Sequence, residues 1–289
     1  MKCRHTFRPG RLELEFEKED SDDERIGALS YTMKEKKIFF DLPVEMGYIH
    51  PDLLGVATIL LCNPFVGERL SLPLPVSKNF YNMASKVISR YKIEEIVDGD
   101  LESISKKEGG IPGLAFSGGA DSAAALAILP AMTMPIFLNR PLGENSHYDS
   151  HAPLEICRML GEAGYNVQII SSNLEYIRDP VGFPTDLANA IPAILISDFF
   201  GLDSIAFGTV LESGYGIGHE HFNDYGNGSH WRFFGTLFES IGIDLCLPTL
   251  GISEVGTTLI GKMSPIASLG QSCIRGSWKD PCGRCWKCF

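Results

Sequence analysis

From Ile111 onward, short apolar segments alternate with segments of helical pattern. IPGLAF, PIFL, VQII and SIAFG have the length and character of buried strands, whereas DSAAALAIL, APLEICRMLGEAG and DLANAIPAILISDFFG have helical patterns. Pro192 should either kink the last of these helices or delay its start. The alternation predicts an α/β fold, a doubly wound parallel sheet with helices on both faces.

The carboxyl ends of the predicted strands form the edge at which such a sheet binds its ligands. Four residues follow predicted strands and should lie at this edge: Ser117, Asn139, Ser171 and Gly208. Asn139 would be placed to meet an adenine or a substrate. It is equally consistent with an ordinary turn that continues through Arg140 to Pro141.

The first hundred residues have a different pattern. RLELEFE, GALSYTM and KIFFDLPV have strand patterns, and the acidic EKEDSDDER between the first two is a predicted solvated turn. PDLLGVATILLC and SKNFYNMASKVISRYKIEEIV are predicted helices with Asp52 and Ser77 as N-caps. The sequence thus predicts an N-terminal α+β accessory domain, with DGDLESISKKEGG as the linker that follows it.

The charge balance limits the classes of partner. Lys and Arg number 25 against 36 Asp and Glu, which gives a formal net charge of −11. Nucleic acids and anionic membranes are bound through basic residues, so the balance argues against both. The most apolar run, LLGVATILLC, is about half of the ~20 residues that span a bilayer, and no secretory signal is evident. We therefore predict a cytoplasmic protein without a membrane segment.

The stretch LAFSGGADSAAALAIL places Ser117, Gly118 and Gly119 between a predicted strand and a predicted helix. Glycines let the backbone approach an anion closely, and the amides and dipole of the following helix attract negative charge. Ser117 and Ser122 add hydroxyl donors, and Asp121 suits either a Mg²⁺ ligand or a residue that orients the turn. The alternative is a glycine-rich turn in which Asp or Ser caps the helix. The Walker A lysine is missing.

Four of the eight cysteines are clustered with the spacing C-x8-C-x2-C-x2-C, namely Cys273, Cys282, Cys285 and Cys288. Such pairs turn their sulfurs toward one ion, so the spacing predicts a structural Cys₄ zinc site without an open coordination position. A redox C-x-x-C pair would leave two cysteines unexplained. Four reduced structural thiols are the remaining alternative.

The sequence S-G-G-x-D-S at 117–122 resembles the signature of the PP-loop ATP pyrophosphatases. That resemblance implies an adenine nucleotide alpha hydrolase-like fold that cleaves ATP between its α- and β-phosphates and transfers AMP to a substrate oxygen. With the cysteine tail, roughly residues 113–289 are similar to the 7-cyano-7-deazaguanine synthase family of queuosine biosynthesis, which ends in a comparable S-C followed by C-G-x-C-x-x-C. ESGYG, at 212–216, also resembles a segment that lines this family's substrate pocket.

The resemblance and the strand positions together define a predicted site. The catalytic residues would be Ser117, Asp121 and Ser122. ATP and Mg²⁺ would be bound by Ser117, Gly118, Gly119, Asp121, Ser122, Asn139 and Gly208. The substrate would contact Asp186, Glu212, Ser213 and Tyr215, although Asp186 is equally consistent with a helix N-cap. Zn²⁺ would be held by the four clustered cysteines. The predicted domains are 1–108, the accessory domain; 109–270, the PP-loop domain; and 271–289, the zinc-binding segment.

The sequence departs from that family at positions linked to substrate recognition. FPTDLAN keeps Pro184 of the family's Pro-x-Arg-Asn element but lacks its arginine. A lysine that is common in the family's helix before the zinc segment is missing from GISEVGTTLIG. A tyrosine-rich segment after the second strand is replaced by LNRPLGENSHYDSH. The match is therefore closer at the nucleotide and zinc positions than at the substrate positions.

These features favour an AMP-forming ligase that joins a small-molecule carboxylate, deazapurine-like by the resemblance, to ammonia as an amide or nitrile. Three alternatives stay open: a carboxylate on a peptide or protein docked on the N-terminal domain, a tRNA-modifying enzyme, and a nucleotide-binding scaffold without catalysis. The acidic balance argues against tRNA. The sequence also leaves open a homodimer.

The stretch Glu212 to Phe234 is long and rich in glycine and aromatic residues. Long loops in compact domains are usually functional, so this one is a predicted lid over the adenylate. His219, His221 and His230 are candidate general bases, and the trio at 219–221, His-Glu-His, is a candidate metal site. The alternative is a solvated loop with ordinary surface histidines.

Overall fold

The computed structural model describes residues 1–22, 32–142, 149–215, 230–273, 275–285 and 288. The strands are β1 Lys2–Arg8, β2 Arg11–Glu17, β3 Thr32–Met33, β4 Lys37–Asp41, β5 Arg69–Leu70, β6 Lys92–Ile93, β7 Ile111–Phe116, β8 Met134–Asn139, β9 Gln168–Ser171, β10 Arg178–Asp179, β11 Leu202–Ala206 and β12 Asp244–Cys246. The α-helices are α1 Pro51–Cys62, α2 Lys78–Val87, α3 Ala120–Ile128, α4 His151–Glu162, α5 Ile191–Phe200, α6 Leu211–Tyr215, α7 Thr236–Glu239 and α8 Glu254–Met263. None of the described helices is both long and apolar enough to cross a membrane.

The centre of the fold is a five-stranded sheet in the order β12-β11-β7-β8-β9. All four strand pairs are parallel, which confirms the predicted parallel sheet. The chain builds β8 and β9 on one side of β7 and then crosses to build β11 and β12 on the other. The strand order therefore reverses between β7 and β11, and ligands of open α/β sheets bind at such a switch point.

Helices cover both faces of the sheet. Successive side chains along a strand point to opposite faces, so each strand contributes to two apolar cores. Leu114 and Phe116 of β7 pack with side chains of α3 and α4. Ala115 of β7 and Ile136 of β8 belong to the core on the other face, together with α5 and α1. Helix α5 begins at Ile191, so Pro192 lies in its first turn and delays its start instead of kinking it.

The N-terminal residues form a three-stranded antiparallel sheet, β1-β2-β4, that shares its core with the central sheet. Phe40 of β4 bridges Ser172, just after β9, and the Asn173 side chain accepts a 2.9 Å hydrogen bond from the Phe39 amide. Strand β3 pairs with β10, from the second half of the chain. GALSYTM, predicted as one strand, lies partly outside the described residues, and its described part contains β3.

The predicted linker, 98–110, has no regular secondary structure but is tied to the central sheet region. Lys106 forms an ion pair with Asp244, and Lys107 pairs with Asp198 at 2.8 Å. Both pairs are exposed, so each contributes little stability. Whether the chain divides into domains at 108 and 270 stays a prediction.

The two N-cap predictions have different outcomes. Ser77 caps α2 as predicted, since its hydroxyl accepts a hydrogen bond from the Phe80 amide. Asp52 does not cap α1, because the cap is His50, whose ring nitrogen Nδ1 accepts from the Asp52 amide. The Asp52 carboxylate is instead fully buried and accepts hydrogen bonds from the Ser77 amide, at 2.8 Å, and the Ser77 hydroxyl, at 2.7 Å. This carboxylate joins the starts of α1 and α2.

We expect Asp52→Ala to lower the free energy of unfolding by about 2 to 3 kcal/mol, because it leaves two buried donors of Ser77 without an acceptor. Urea unfolding measures the change. The matched control is Asp100→Ala, at an exposed acid, which should change the unfolding free energy by less than about 0.5 kcal/mol. Equal stability of the two variants would contradict the assigned role of Asp52.

Candidate functional site

The glycine loop, residues 117–122, connects β7 to α3 at the switch point. Gly118 has φ +77°, a left-handed conformation that favours glycine, and a Cβ there would lie 3.0 Å from the Cβ of Pro153. Gly119 is the N-cap of α3 and has no side chain to satisfy the first helical amides. The alternative prediction, in which a local Asp or Ser side chain caps α3, is therefore wrong.

Two serine hydroxyls fix the loop from inside. The Ser122 hydroxyl is buried, lies 3.0 Å from the Ser117 hydroxyl and donates to the Gly119 carbonyl at 3.1 Å. The Ser117 hydroxyl accepts from the Gly119 amide at 3.3 Å. Ser117 is exposed at the mouth of the loop, so it can exchange these contacts for a ligand, whereas Ser122 holds the loop's shape.

Asp121 is held by a residue that the sequence analysis does not identify. The hydroxyl of Thr257, buried on α8, donates a 2.7 Å hydrogen bond to Oδ1 of Asp121. This bond fixes the carboxylate in one orientation and joins α8 to the first turn of α3. Thr257 is 136 positions away in sequence, and a threonine in a helix carries no signal of such a contact.

Gly208, just after β11, packs directly on the backbone of the glycine loop. A Cβ at this position would lie 2.7 Å from both the carbonyl carbon of Asp121 and the amide nitrogen of Ser122. Only glycine allows this approach without displacement of the loop. The carboxyl end of β11 therefore meets the start of α3 where the strand order reverses.

A cleft opens at this point and consists of two adjoining cavities. The inner cavity, of about 240 Å³, is lined by Ala115, Ser117, Asp121, Ser122, Asp186, Leu187, Asn189, Phe207, Gly208, Thr209 and Ser213. The outer cavity, of about 500 Å³, is lined by Arg178, Phe183, Thr185, Asp186, Leu187, Thr209 and Ser213. Four residues line both cavities, so the cleft continues from the glycine loop to Arg178. Its volume suits small-molecule ligands.

The structure brings together six of the predicted site residues around the inner cavity: Ser117, Asp121, Ser122, Asp186, Gly208 and Ser213. Gly118 and Gly119 belong to the same loop. The described lining of the cleft does not include Asn139, Glu212 or Tyr215. Of the predicted site residues, Asp186 and Ser213 line the outer cavity, whereas its residues Arg178 and Thr209 belong to no motif in the sequence.

The three predicted residues outside the cleft have other contacts. The side-chain amide of Asn139 donates a 3.2 Å hydrogen bond to the Ser171 hydroxyl, across the carboxyl ends of β8 and β9. The Glu212 carboxylate accepts from the Glu254 amide, at 3.1 Å to one oxygen, and so helps to cap α8. Tyr215 is the last residue of α6. Their ligand-binding roles stay predictions. Most of the predicted lid, including His219 and His221, lies outside the described residues. Only the backbone of His230 is described.

The four clustered cysteines come together in space. Their sulfur atoms all lie within 4.8 Å of one another, so Cys273, Cys282, Cys285 and Cys288 could hold a metal ion. The shortest distances between sulfur atoms are 3.5 Å from Cys285 to Cys288, 3.8 Å from Cys273 to Cys285 and 3.9 Å from Cys282 to Cys288. Gly283, with φ +63°, makes the turn that lets this short segment fold around one point.

Cys273 is prepared for a metal as a thiolate. Burial raises the pKa of its thiol, but hydrogen bonds from the backbone of Cys282 and Arg275 and from the thiols of Cys288 and Cys282 together lower the pKa to about 6. The Cys282 amide lies 3.3 Å from the Cys273 sulfur. Thiolates are the form in which cysteines bind metals.

The segment before the first clustered cysteine is anchored on the glycine loop. The Ala120 amide, one of the first of α3, donates to the Ser272 hydroxyl at 3.1 Å. The Gln271 amide donates to the Gly118 carbonyl at 2.8 Å. A Cβ at Gly270 would lie 2.9 Å from the Cα of Ala120. The cysteine segment and the glycine loop therefore form one continuous structure.

Comparisons with known proteins give limited matches. Residues 233–289, less than half of the chain, match a family of unknown function, DUF6395. Among solved structures the chain is similar to the U34-tRNA thiolase NcsA from Methanococcus maripaludis with its 4Fe-4S cluster, at TM-score 0.40 and 17% identity, over 72% of this chain and 66% of that chain. The search of curated proteins gives no match.

We expect Ser272→Ala to loosen the start of α3, because the Ala120 amide loses its acceptor. Amide hydrogen exchange of a peptide covering 117–124 should become faster by about fivefold, which corresponds to a hydrogen bond of about 1 kcal/mol. Ser268→Ala is the matched control, since Ser268 is exposed and donates only to the nearby Pro265 carbonyl. If the two variants exchange at the same rate in this peptide, the anchor does not act as described.

Proposed function

We propose that the chain is an ATP-dependent, AMP-forming ligase that adenylates a carboxylate on a deazapurine-like small molecule and releases pyrophosphate. One observation carries the proposal: the S-G-G-x-D-S loop lies at the switch point of a parallel sheet, at the wall of a cleft. The motif and its place in the fold agree, although either one alone would be a weaker argument.

The glycine loop has the features that a phosphate group needs. The amides at the start of α3 and the helix dipole favour negative charge. Gly118 and Gly119 carry no side chains that would hinder an anion, and the exposed Ser117 hydroxyl supplies a further donor. We assign the α-, β- and γ-phosphates of ATP to this loop and the inner cavity.

Asp121 is the proposed Mg²⁺ ligand. Mg²⁺ prefers carboxylate oxygens and usually binds through one or two carboxylates together with substrate phosphates. Asp121 lines the inner cavity, and its bond to Thr257 orients the carboxylate before any ligand arrives. A bound Mg²⁺ would neutralise charge that develops on the phosphates.

In the proposed first step, an acceptor carboxylate oxygen attacks the α-phosphorus. The new oxygen–phosphorus bond forms as the bond to the β-phosphate oxygen breaks, and pyrophosphate leaves with the bonding electron pair. The loop amides and Ser117 stabilise the transferred charge. Ammonia then attacks the carbonyl carbon of the acyl-adenylate, loses a proton and displaces AMP, which gives an amide. In the family that the sequence resembles, a second ATP dehydrates the amide to a nitrile.

A single zinc ion is the metal that fits the cysteines best. Four sulfurs at about 2.3 Å from one ion form a tetrahedron with edges of about 3.8 Å. The three shortest sulfur–sulfur separations in the cluster, 3.5, 3.8 and 3.9 Å, agree with this edge, and all six lie within 4.8 Å. A four-iron cluster holds its cysteines at the outer corners of a larger cube and would need wider spacing. Bound by four thiolates, the zinc would have a structural role.

Mg²⁺-dependent ATP turnover should depend on Asp121. We expect Asp121→Asn to reduce pyrophosphate release on the order of 100-fold or more, since the amide loses the charge that binds Mg²⁺. The substitution keeps an oxygen that can accept from Thr257, so the variant should fold. Pyrophosphate release is measured with 7-carboxy-7-deazaguanine, ammonia and ATP.

The control for this experiment is Asp20→Asn, at an exposed acid of the N-terminal region, which should leave turnover unchanged. Pyrophosphate release only in the presence of a protein partner or tRNA would replace the proposed acceptor. Binding of Mg²⁺-ATP without release would indicate a nucleotide-binding scaffold. If the wild-type protein does not bind Mg²⁺-ATP, the proposal is wrong.

Metal analysis tests the zinc assignment. We expect about one zinc per chain and no visible absorption from an iron–sulfur cluster. Cys285→Ser should lose the zinc, because three thiolates leave the tetrahedron incomplete. Cys246→Ser is the control, since Cys246 is half-buried on β12 outside the cluster and should not affect metal content. Iron in place of zinc would contradict the assignment.

A further inference from the structure

Arg178 introduces positive charge into the cleft. The described lining of the two cavities contains two acids, Asp121 and Asp186, and one basic residue, Arg178, in the outer cavity. The triphosphate of a bound ATP in the inner cavity would add further negative charge. An anionic acceptor that approaches this nucleotide meets repulsion unless a cation compensates it.

Arg178 lies near a buried acid that is paired with a second arginine. Glu175 is buried, with 6% of its surface exposed, and its carboxylate accepts a 2.7 Å hydrogen bond from Arg140. Burial raises the pKa of Glu175 above its ordinary value, and the nearby charges of Arg140 and Arg178 offset only part of this effect. The side chain of Arg178 lines the outer cavity, next to Phe183 and Thr185.

The fold holds Arg178 in a defined position. Its strand, β10, pairs with β3, and Arg178 itself lies opposite Met33 in this pairing. A Cβ at Gly182 would lie 3.0 Å from Nε of Arg178, so the guanidinium packs against the backbone of a residue that has no side chain. The N-terminal part of the chain thus helps to build the acceptor side of the cleft.

We propose that the outer cavity binds an organic carboxylate and that Arg178 recognises its carboxylate group. The inference rests on the proposed function, because it identifies the acceptor of the same reaction. Arg178 donates to one carboxylate oxygen and leaves the other directed toward the inner cavity, where it attacks the α-phosphorus. Phe183 and Leu187 supply apolar surface for the body of the molecule. Arg178 would therefore determine specificity for an acid over its neutral amide.

Isothermal calorimetry with two probe pairs tests this proposal. The probes are 7-carboxy-7-deazaguanine and indole-3-carboxylate, each compared with its carboxamide, on the full chain loaded with Mg²⁺ and α,β-methylene-ATP. We expect at least one of the two carboxylates to bind at least tenfold more tightly than its carboxamide. Arg178→Ala should remove this preference by weakening carboxylate binding at least tenfold, with little effect on the carboxamide.

Two further variants separate charge recognition from structural damage. Arg178→Lys keeps the charge but not the planar fork, so it should retain part of the preference and shows that the position tolerates substitution. Arg158→Ala removes an exposed arginine of α4, paired with Glu155 and Glu162, and should leave all binding unchanged. Circular dichroism verifies that each variant is folded.

The possible results distinguish this inference from the proposed function. If the nucleotide analogue binds but neither carboxylate does, or if each acid binds no better than its amide, the role of Arg178 is overturned and nucleotide binding stands. If the analogue does not bind, the proposed function fails. The same titrations on the nucleotide-free chain then decide whether an Arg178-dependent carboxylate site exists by itself.

Discussion

The start of α3 is the point on which the rest of the site depends, because three distant parts of the chain contact one helical turn. Gly208 packs on the backbone of residues 121 and 122, Thr257 binds the Asp121 carboxylate, and Ser272 accepts from the Ala120 amide. A helix start needs acceptors and neighbours that its own glycine cap does not supply. These three contacts therefore define the shape of the loop before any ligand binds.

The sequence predicts the central sheet well, since the alternation of strands and helices depends on local apolar patterns. It does not reveal β12, which has only three residues, or β1, where the polar sequence KCRHTFR conceals a strand paired along its length with β2. The position of Asp52 before an apolar run predicts a helix cap. Its actual role depends on Ser77, 25 positions later, and no local pattern contains that contact.

The candidate site is predictable only where its residues are adjacent in sequence. The glycine loop and the cysteine segment are short motifs, and the structure brings the residues of each together. Thr257 and Arg178 are common residue types outside any motif, and only the fold shows what they contact. Ser272 lies in the S-C pair of the cysteine segment, but no sequence pattern indicates its bond to Ala120. Glu212 and Tyr215 illustrate the converse, because they lie close in sequence to Ser213 but do not line the cleft.

The contact of Ser272 with Ala120 also orders events during synthesis of the chain. The two residues are 152 positions apart, so a ribosome makes the glycine loop and α3 long before their last partner. Until Ser272 has emerged, the Ala120 amide has no such acceptor, and the loop exists only in an incomplete form. A chain that stops short of this serine could contain the whole parallel sheet and still lack a finished loop.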